Sequence, residues 1–379
     1  MIYLDNNATT PLDSRVLEVM MPFLTTQFGN ASSNHAFGVS INQHIKNARE
    51  NVADLLNCDP SEIIFTSGAT EAINLAIKGV AKEGKKRGSH IITVTTEHPA
   101  VLDTCKSLEE EFNVTYLQVQ NDGLLDLQTL KNAITSETIL ISVMMVNNET
   151  GVIQPIREIA SIAHDHDIFF MTDATQGAGK LNINVRELDI DLLAISAHKF
   201  YGPKGIGALY VRNKRPFKVK LPALLHGGGH ERDMRSGTLN VPGIVGLGEA
   251  ARIAKIEMLN DTNRIKQLRN LLENELLKID ASFINGNKEN RLYNVSNICF
   301  EGADADAVIA GIDNIMISNG SACSTNKVEP SHVLTAMGLS TENAYSSLRL
   351  SLGRLTTNEE IEELLKILPP IIKSLRLFN

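Results

Sequence analysis

The sequence predicts an α/β fold: a large unit built on a mostly parallel, seven-stranded sheet between helices, joined to a smaller α+β unit. Three observations predict it. From Ile63 to Val211, short β-rich runs alternate with helical stretches. After about Gly248 one long amphipathic stretch takes over. Beyond that, short strand candidates return among further helices. Alternation of the first kind is the pattern of a parallel sheet covered by helices, where ligands gather at the carboxyl ends of the strands.

The strand candidates, in order, are Ile63–Thr66, His90–Val94, Val114–Val119, Thr138–Val146, Ile168–Thr172, Asp191–Ser196 and Gly207–Val211. Helical stretches run from Ala69 to Lys82 and from Ile156 to His166. Gly248 to Ile279 reads as one helix, because Ile265, Leu268, Leu272, Leu276 and Ile279 recur at spacings of three and four. Tyr293–Phe300 and Ile315–Ser318 read as strands of the smaller unit. Thr357 and Glu360 form a capping box that opens the last helix, and Pro369-Pro370 is expected to interrupt it. The change of unit is placed near 246–252.

Composition narrows the class of function. The chain has 379 residues, 43% of them hydrophobic and 21% charged, enough for a sizeable core. A net charge of −8 argues against a surface that binds nucleic acid nonspecifically. Apolar runs stay short of a membrane span, and the N-terminus lacks the pattern of a signal peptide. Four cysteines in a chain this long do not form a disulfide framework, so a reducing cytoplasm is expected.

Chemistry concentrates at the strand ends. Lys199, in Ser196-Ala197-His198-Lys199, follows the run Asp191–Ser196, and Asp173 ends the preceding strand. A buried lysine amine with a carboxylate nearby is the pair that pyridoxal 5'-phosphate requires: the amine forms a Schiff base and the acid keeps the pyridine nitrogen protonated. Read singly, Lys199 is a surface lysine and Asp173 a helix cap; together, at successive strand ends, they point to a site. Ser67-Gly68-Ala69-Thr70-Glu71 follows a strand and opens a helix, which suits a phosphate or merely a turn. His98 follows another strand and reads as a cap or as a ring that stacks on a cofactor and relays protons. Cys323 lies in a run of small polar residues, Ser318 to Asn326, either as a passive loop residue or as a thiolate nucleophile. Cys58, Cys105 and Cys299 read as inert core thiols. His164-Asp165-His166-Asp167 reads as a solvated helix end, since i, i+2 side chains on a helix point apart, and no metal site is expected.

Taken in order, these motifs make a family recognisable. They are Tyr3 to Thr10, Thr66 to Glu71, Val146 to Glu149, Thr172 to Gln176, Ser196 to Lys199, His226 to Glu231, Arg235 to Thr238 and Gly320 to Cys323. Nearly end to end the chain resembles the NifS/IscS-type cysteine desulfurases of the class V aminotransferase family, fold-type I enzymes. The long loop after Ala322 is similar to that of group I. The resemblance implies residues 15–250 as a large cofactor-binding and dimerisation domain. Residues 1–14 plus 251–379 would form a small domain carrying a mobile Cys323 loop.

It also implies roles. Lys199, Cys323 and His98 would be catalytic. Ala69, Thr70, Ser196 and His198 would bind phosphate, with Thr238 doing so from the neighbouring subunit of a homodimer. Asp173 would pair with the ring nitrogen, Gln176 with the phenolic oxygen, and His98 would stack on the ring. Asn148 would contact cofactor and substrate, and Arg349 would clamp the substrate carboxylate. The implied reaction converts L-cysteine to L-alanine, leaving a persulfide on Cys323 for a sulfur-acceptor protein in iron–sulfur assembly, tRNA thiolation or DNA phosphorothioation. A selenocysteine lyase or another class V transaminase or lyase is the alternative. Neither direct nucleic-acid binding nor membrane association is implied. The short tail after the last helix and the segment Ser324 to Lys327 differ from scaffold-serving relatives and leave the acceptor open.

Overall fold

A computed structural model describes residues 1–319 and 329–377. Seven strands form its central sheet: β1 (Ile63–Thr66), β2 (His90–Val94), β3 (Asn113–Leu117), β4 (Thr138–Ser142), β5 (Phe169–Asp173), β6 (Leu192–Ser196) and β7 (Gly207–Val211). Their order is β1-β7-β6-β5-β4-β2-β3. Neighbours pair in parallel except at β7, which is antiparallel to both β1 and β6. Strands β1, β2, β4, β6 and β7 are buried along their whole length, as a sheet covered on both faces requires.

Alternate residues supply two separate cores. Ile64, Ile91, Leu140, Leu192 and Leu209 pack on the face covered by the helix Ala69–Gly84. Ile63, Phe65, Ile92, Ile141, Leu193 and Tyr210 face the opposite core, with the helix Ala36–Leu56 and the long helix Val241–Leu276. The period of two along each strand puts neighbouring residues on opposite faces.

The smaller sheet has Val295–Phe300 at its centre, antiparallel to Ser282–Ile284 on one side and Ser347–Ser351 on the other. The N-terminal residues join this part of the chain: Ile2–Tyr3 pairs in parallel with Ile315–Met316, and Asp5 bridges to Ser351.

Four sequence expectations change. Strand β4 stops at Ser142 rather than Val146. The chain turns there because Glu97 accepts from the Met144 N–H, and Asn147 Oδ1 accepts from the N–H groups of Glu149 and Thr150. The long helix begins at Val241, capped by Asn240 with a proline in its first turn, so residues 246–252 lie inside it. Gly246 and Gly248 are buried there; a Cβ at Gly248 would lie 2.5 Å from Ala48 Cα, so close helix packing is what glycine permits. The last helix, Asn358–Arg376, runs through Pro369 and Pro370. Its stripe of Ile361, Leu364, Leu368 and Ile372 is fully buried and holds it in place despite the missing N–H groups. Finally, the His164 ring is not solvated. It bridges Asp189 and Asp191 at 2.8 Å each and stacks on Phe217. The capping box of Thr357 and Glu360 is present. No helix among the described residues is long and apolar enough to cross a membrane.

Leu272 is fully buried on the long helix. Leu272→Ala is expected to lower stability by about 2–5 kcal/mol, read from the shift of the urea unfolding midpoint.

Candidate active site

The strand ends place the site. In the parallel pair β5–β6, Asp173 stands opposite Ala194. Ser196 ends β6, and a single 3-10 turn, Ala197–Lys199, then carries the lysine over the sheet edge beside Asp173. Thr66 ends β1 and leads through Ser67-Gly68 into the helix Ala69–Gly84, while His98 caps the helix Pro99–Lys106 beyond β2. These ends surround a cleft of about 680 Å³. It is lined by Ala69, Thr70, His98, Asn148, Asp173, Gln176, Ser196, His198, Lys199 and Arg349, all expected site residues. Thr238 is exposed and does not line the cleft of its own chain. Cys323 lies outside the described residues.

Lys199 Nζ donates to the main-chain carbonyls of Asn7 at 2.6 Å and Ala8 at 2.8 Å. Burial, together with the Arg349 charge, lowers its pKa to about 8. Asp173 is buried, and its Oδ1 accepts from the Thr175 N–H at 2.8 Å. His98 Nδ1 accepts from the Ala100 N–H at 3.1 Å, which fixes the neutral ring as the Nε2–H tautomer. Burial lowers its pKa, so the neutral form prevails. It therefore serves both as a helix cap and as part of the cleft wall. His198 Nδ1 lies 3.0 Å from Thr9 Oγ1, and burial with nearby lysine charges pushes its pKa down to about 4.

The phosphate end has a physical basis. Gly68 precedes the helix Ala69–Gly84 and offers no side-chain cap, so the first-turn N–H groups are left for another acceptor. Gly207 lies under this turn: a Cβ there would come within 2.7 Å of Gly68 Cα. Ser196 Oγ would lie 3.8 Å from a Cβ at Gly68, on the cleft side.

At the opposite end Arg349 pairs with Asp5 at 2.7 Å and donates to the Asn148 carbonyl at 3.2 Å. Its Nε is buried without a hydrogen-bond partner among the described residues. A guanidinium held this way suits a carboxylate ligand.

Several groups here were assigned no role from the sequence, although Asp5, Asn7 and Glu149 lie in its motifs. Asp5 and Asn7 belong to an N-terminal segment whose approach to the cleft depends on the small sheet. Glu97 is fully buried, its carboxyl pushed well up by burial and by the Asp173 charge. Glu149 accepts from Ser331 and is raised by burial to about 7. Lys180 is buried and lowered to about 7 by burial and by Lys199. Cys105 and Cys299 are buried and Cys58 half-buried, and burial raises Cys58 and Cys105 to about 12 and Cys299 to about 11, which disfavours the thiolate in each.

Residues 2–364 match the family described as aminotransferase class-V. The chain belongs to that family. It is similar to the cysteine desulfurase IscS of Actinobacillus succinogenes, 51% identical over 379 residues, with 99% of this chain and 93% of that protein covered. A solved NifS-like protein superposes with a TM-score of 0.92 at 38% identity, covering 98% of this chain and 99% of that one. SspA, solved in complex with cysteine, gives a TM-score of 0.82 at 42% identity, covering 93% and 99%. Class-V aminotransferases of this kind depend on pyridoxal 5'-phosphate, and the cleft fits that group. The uncapped helix N-terminus suits its phosphate, Asp173 a protonated ring nitrogen and Lys199 its aldehyde.

Only the neutral amine attacks an aldehyde. Covalent capture of pyridoxal phosphate by the apoprotein, trapped with borohydride, should therefore accelerate with rising pH and level off above a midpoint near 8. An ordinary lysine would keep gaining past pH 10.

Proposed function

We propose that this class-V aminotransferase is a cysteine desulfurase, converting L-cysteine to L-alanine and passing the sulfur to an acceptor protein. The observation that carries the reading is the convergence of Lys199, Asp173 and Arg349 on one cleft. The names of its relatives favour a desulfurase over a selenocysteine lyase or another class V transaminase or lyase.

Bound pyridoxal phosphate supplies an aldehyde for the amines and a protonated ring that withdraws electrons from the substrate Cα. The residues do the rest. The helix N-terminus at Ala69 and Thr70, with Ser196 and His198, would hold the phosphate. Asp173 would keep the ring nitrogen charged, Gln176 would donate to the phenolic oxygen, and His98 would stack on the ring and relay a proton. Arg349, with Asn148 beside it, orients the substrate carboxylate. Lys199 Nζ, already depressed in pKa, takes the substrate Cα proton and returns one. The Cys323 thiolate then attacks the substrate sulfur. An S–S bond forms and the Cβ–S bond breaks, its electron pair leaving to carbon, where protonation completes alanine.

A homodimer belongs to the same reading. Thr238 is exposed and does not line its own cleft, and Leu17, Met21 and Leu24 leave apolar surface on the helix Ser14–Thr25. A second copy would cover that surface and bring Thr238 to the phosphate.

The test is direct. With pyridoxal phosphate and L-cysteine, the protein should form alanine and sulfide in equal amounts when a thiol reductant is present. Cys323→Ser should keep the bound cofactor's colour yet lose alanine and persulfide; undiminished sulfur release would sink the proposal. Arg349→Ala should lower kcat/KM for cysteine by on the order of ten- to a hundredfold, the worth of a charged hydrogen bond.

A further inference from the structure

Gln176 is held at both ends. Its Nε2 donates to the Asn7 carbonyl at 2.8 Å, and its Oε1 accepts from Lys180 Nζ at 3.0 Å. Both residues are buried: Gln176 is 3% and Lys180 7% exposed. Among the described residues, Gln176 Oε1 is the one hydrogen-bond acceptor that Lys180 Nζ reaches. The same Asn7 carbonyl also accepts from Lys199 Nζ. One chain of contacts therefore runs from Lys180 through Gln176 and Asn7 to the catalytic amine.

An amide can turn end for end about its last bond, exchanging oxygen for nitrogen. Here the two neighbours forbid it. A carbonyl only accepts, and Lys180 in its ammonium form only donates, so the hold on the Gln176 oxygen is firmest while Lys180 is protonated. Turning Gln176 would set its oxygen against the Asn7 oxygen and its N–H groups against Lys180. A side chain with no donor at 180 would remove one of those two constraints.

We propose that Lys180 is a positioning residue: it locks the Gln176 amide so that an N–H, not the oxygen, faces the phenolic oxygen of bound pyridoxal phosphate. This rests on the reading above that Gln176 faces that oxygen. Gln176 lines the cleft, and its Nε2 has a second N–H beyond the one given to Asn7. A buried lysine beside Lys199, with its pKa lowered to about 7, is costly to maintain, and orienting a cofactor contact is a physical return for that cost. Asp261, Tyr201 and Tyr293 line the small cavity around Lys180 and stay unaltered in every variant below.

A donor toward the phenolic oxygen stabilises its deprotonated form; an acceptor there does the opposite. The readout is the pH midpoint of the visible absorbance change of the holoenzyme without substrate. Lys180→Met should raise that midpoint by about one pH unit, the effect of one charged hydrogen bond. Lys180→Arg keeps a side chain that only donates and should leave the midpoint near that of the unaltered protein. Gln176→Ala should itself raise the midpoint, and Lys180→Met should add nothing in that background, because the contact it governs is gone.

The inference is overturned if Lys180→Met leaves the midpoint in place while Gln176→Ala moves it. It is also overturned if Lys180→Met adds the same shift with and without Gln176, since that is a charge effect alone. A midpoint unmoved by Gln176→Ala overturns the placement of the ring and this inference with it. Should Lys180→Met fail to fold, Lys180→Arg decides: a midpoint near the unaltered one supports the role, and a rise as large as that of Gln176→Ala overturns it.

Discussion

The parallel pairing of β5 with β6 is the constraint on which the site depends. Two neighbouring parallel strands end at the same edge of the sheet, so residues that close them share a cleft however far apart they lie in sequence. Asp173 opposite Ala194 sets the register, and one tight turn beyond Ser196 delivers Lys199. A shift of one residue would turn the Asp173 side chain to the other face of the sheet. The same edge collects the turn after β1 and the cap beyond β2, which is why a phosphate-binding helix end and an imidazole stand around the same space.

The small sheet completes the cleft from the other side. Asp5 bridges to Ser351, so the N-terminal segment runs along the strand that carries Arg349. Two residues later the Asn7 carbonyl meets both Lys199 and Gln176. The segment thus joins the carboxylate-binding end of the cleft to the amine. Its side-chain chemistry is modest; its main-chain oxygens do the holding.

Burial sets the protonation states. Lys199, Lys180 and His198 are all pushed toward neutrality, and Glu97 and Glu149 likewise, because a dry wall penalises charge of either sign. Arg349 takes Asp5 as its partner at 2.7 Å. The result is a cleft whose amine is reactive near neutral pH and whose guanidinium, paired with Asp5, keeps a buried Nε without a hydrogen-bond partner among the described residues.

Much of this was legible in the chain. Strand composition and spacing located β1, β2 and β7 to the residue, and the motif order brought out Lys199, Asp173, His98 and the helix start at Ala69. These are local signals: hydrophobic period, turn chemistry, and reactive residues at strand ends. The sequence misled where packing overrides propensity. The change of unit placed near 246–252 falls inside the long helix, where Gly246 and Gly248 sit close against Met20 and Ala48, and the interruption expected at Pro369-Pro370 is overruled by four buried side chains. What only the tertiary structure decided is which distant groups meet: Asp5 with Arg349, Glu97 with Met144, Lys180 with Gln176 across from Asn7. Such contacts arise from the crossing of separate segments, and no periodicity along the chain encodes where two segments cross.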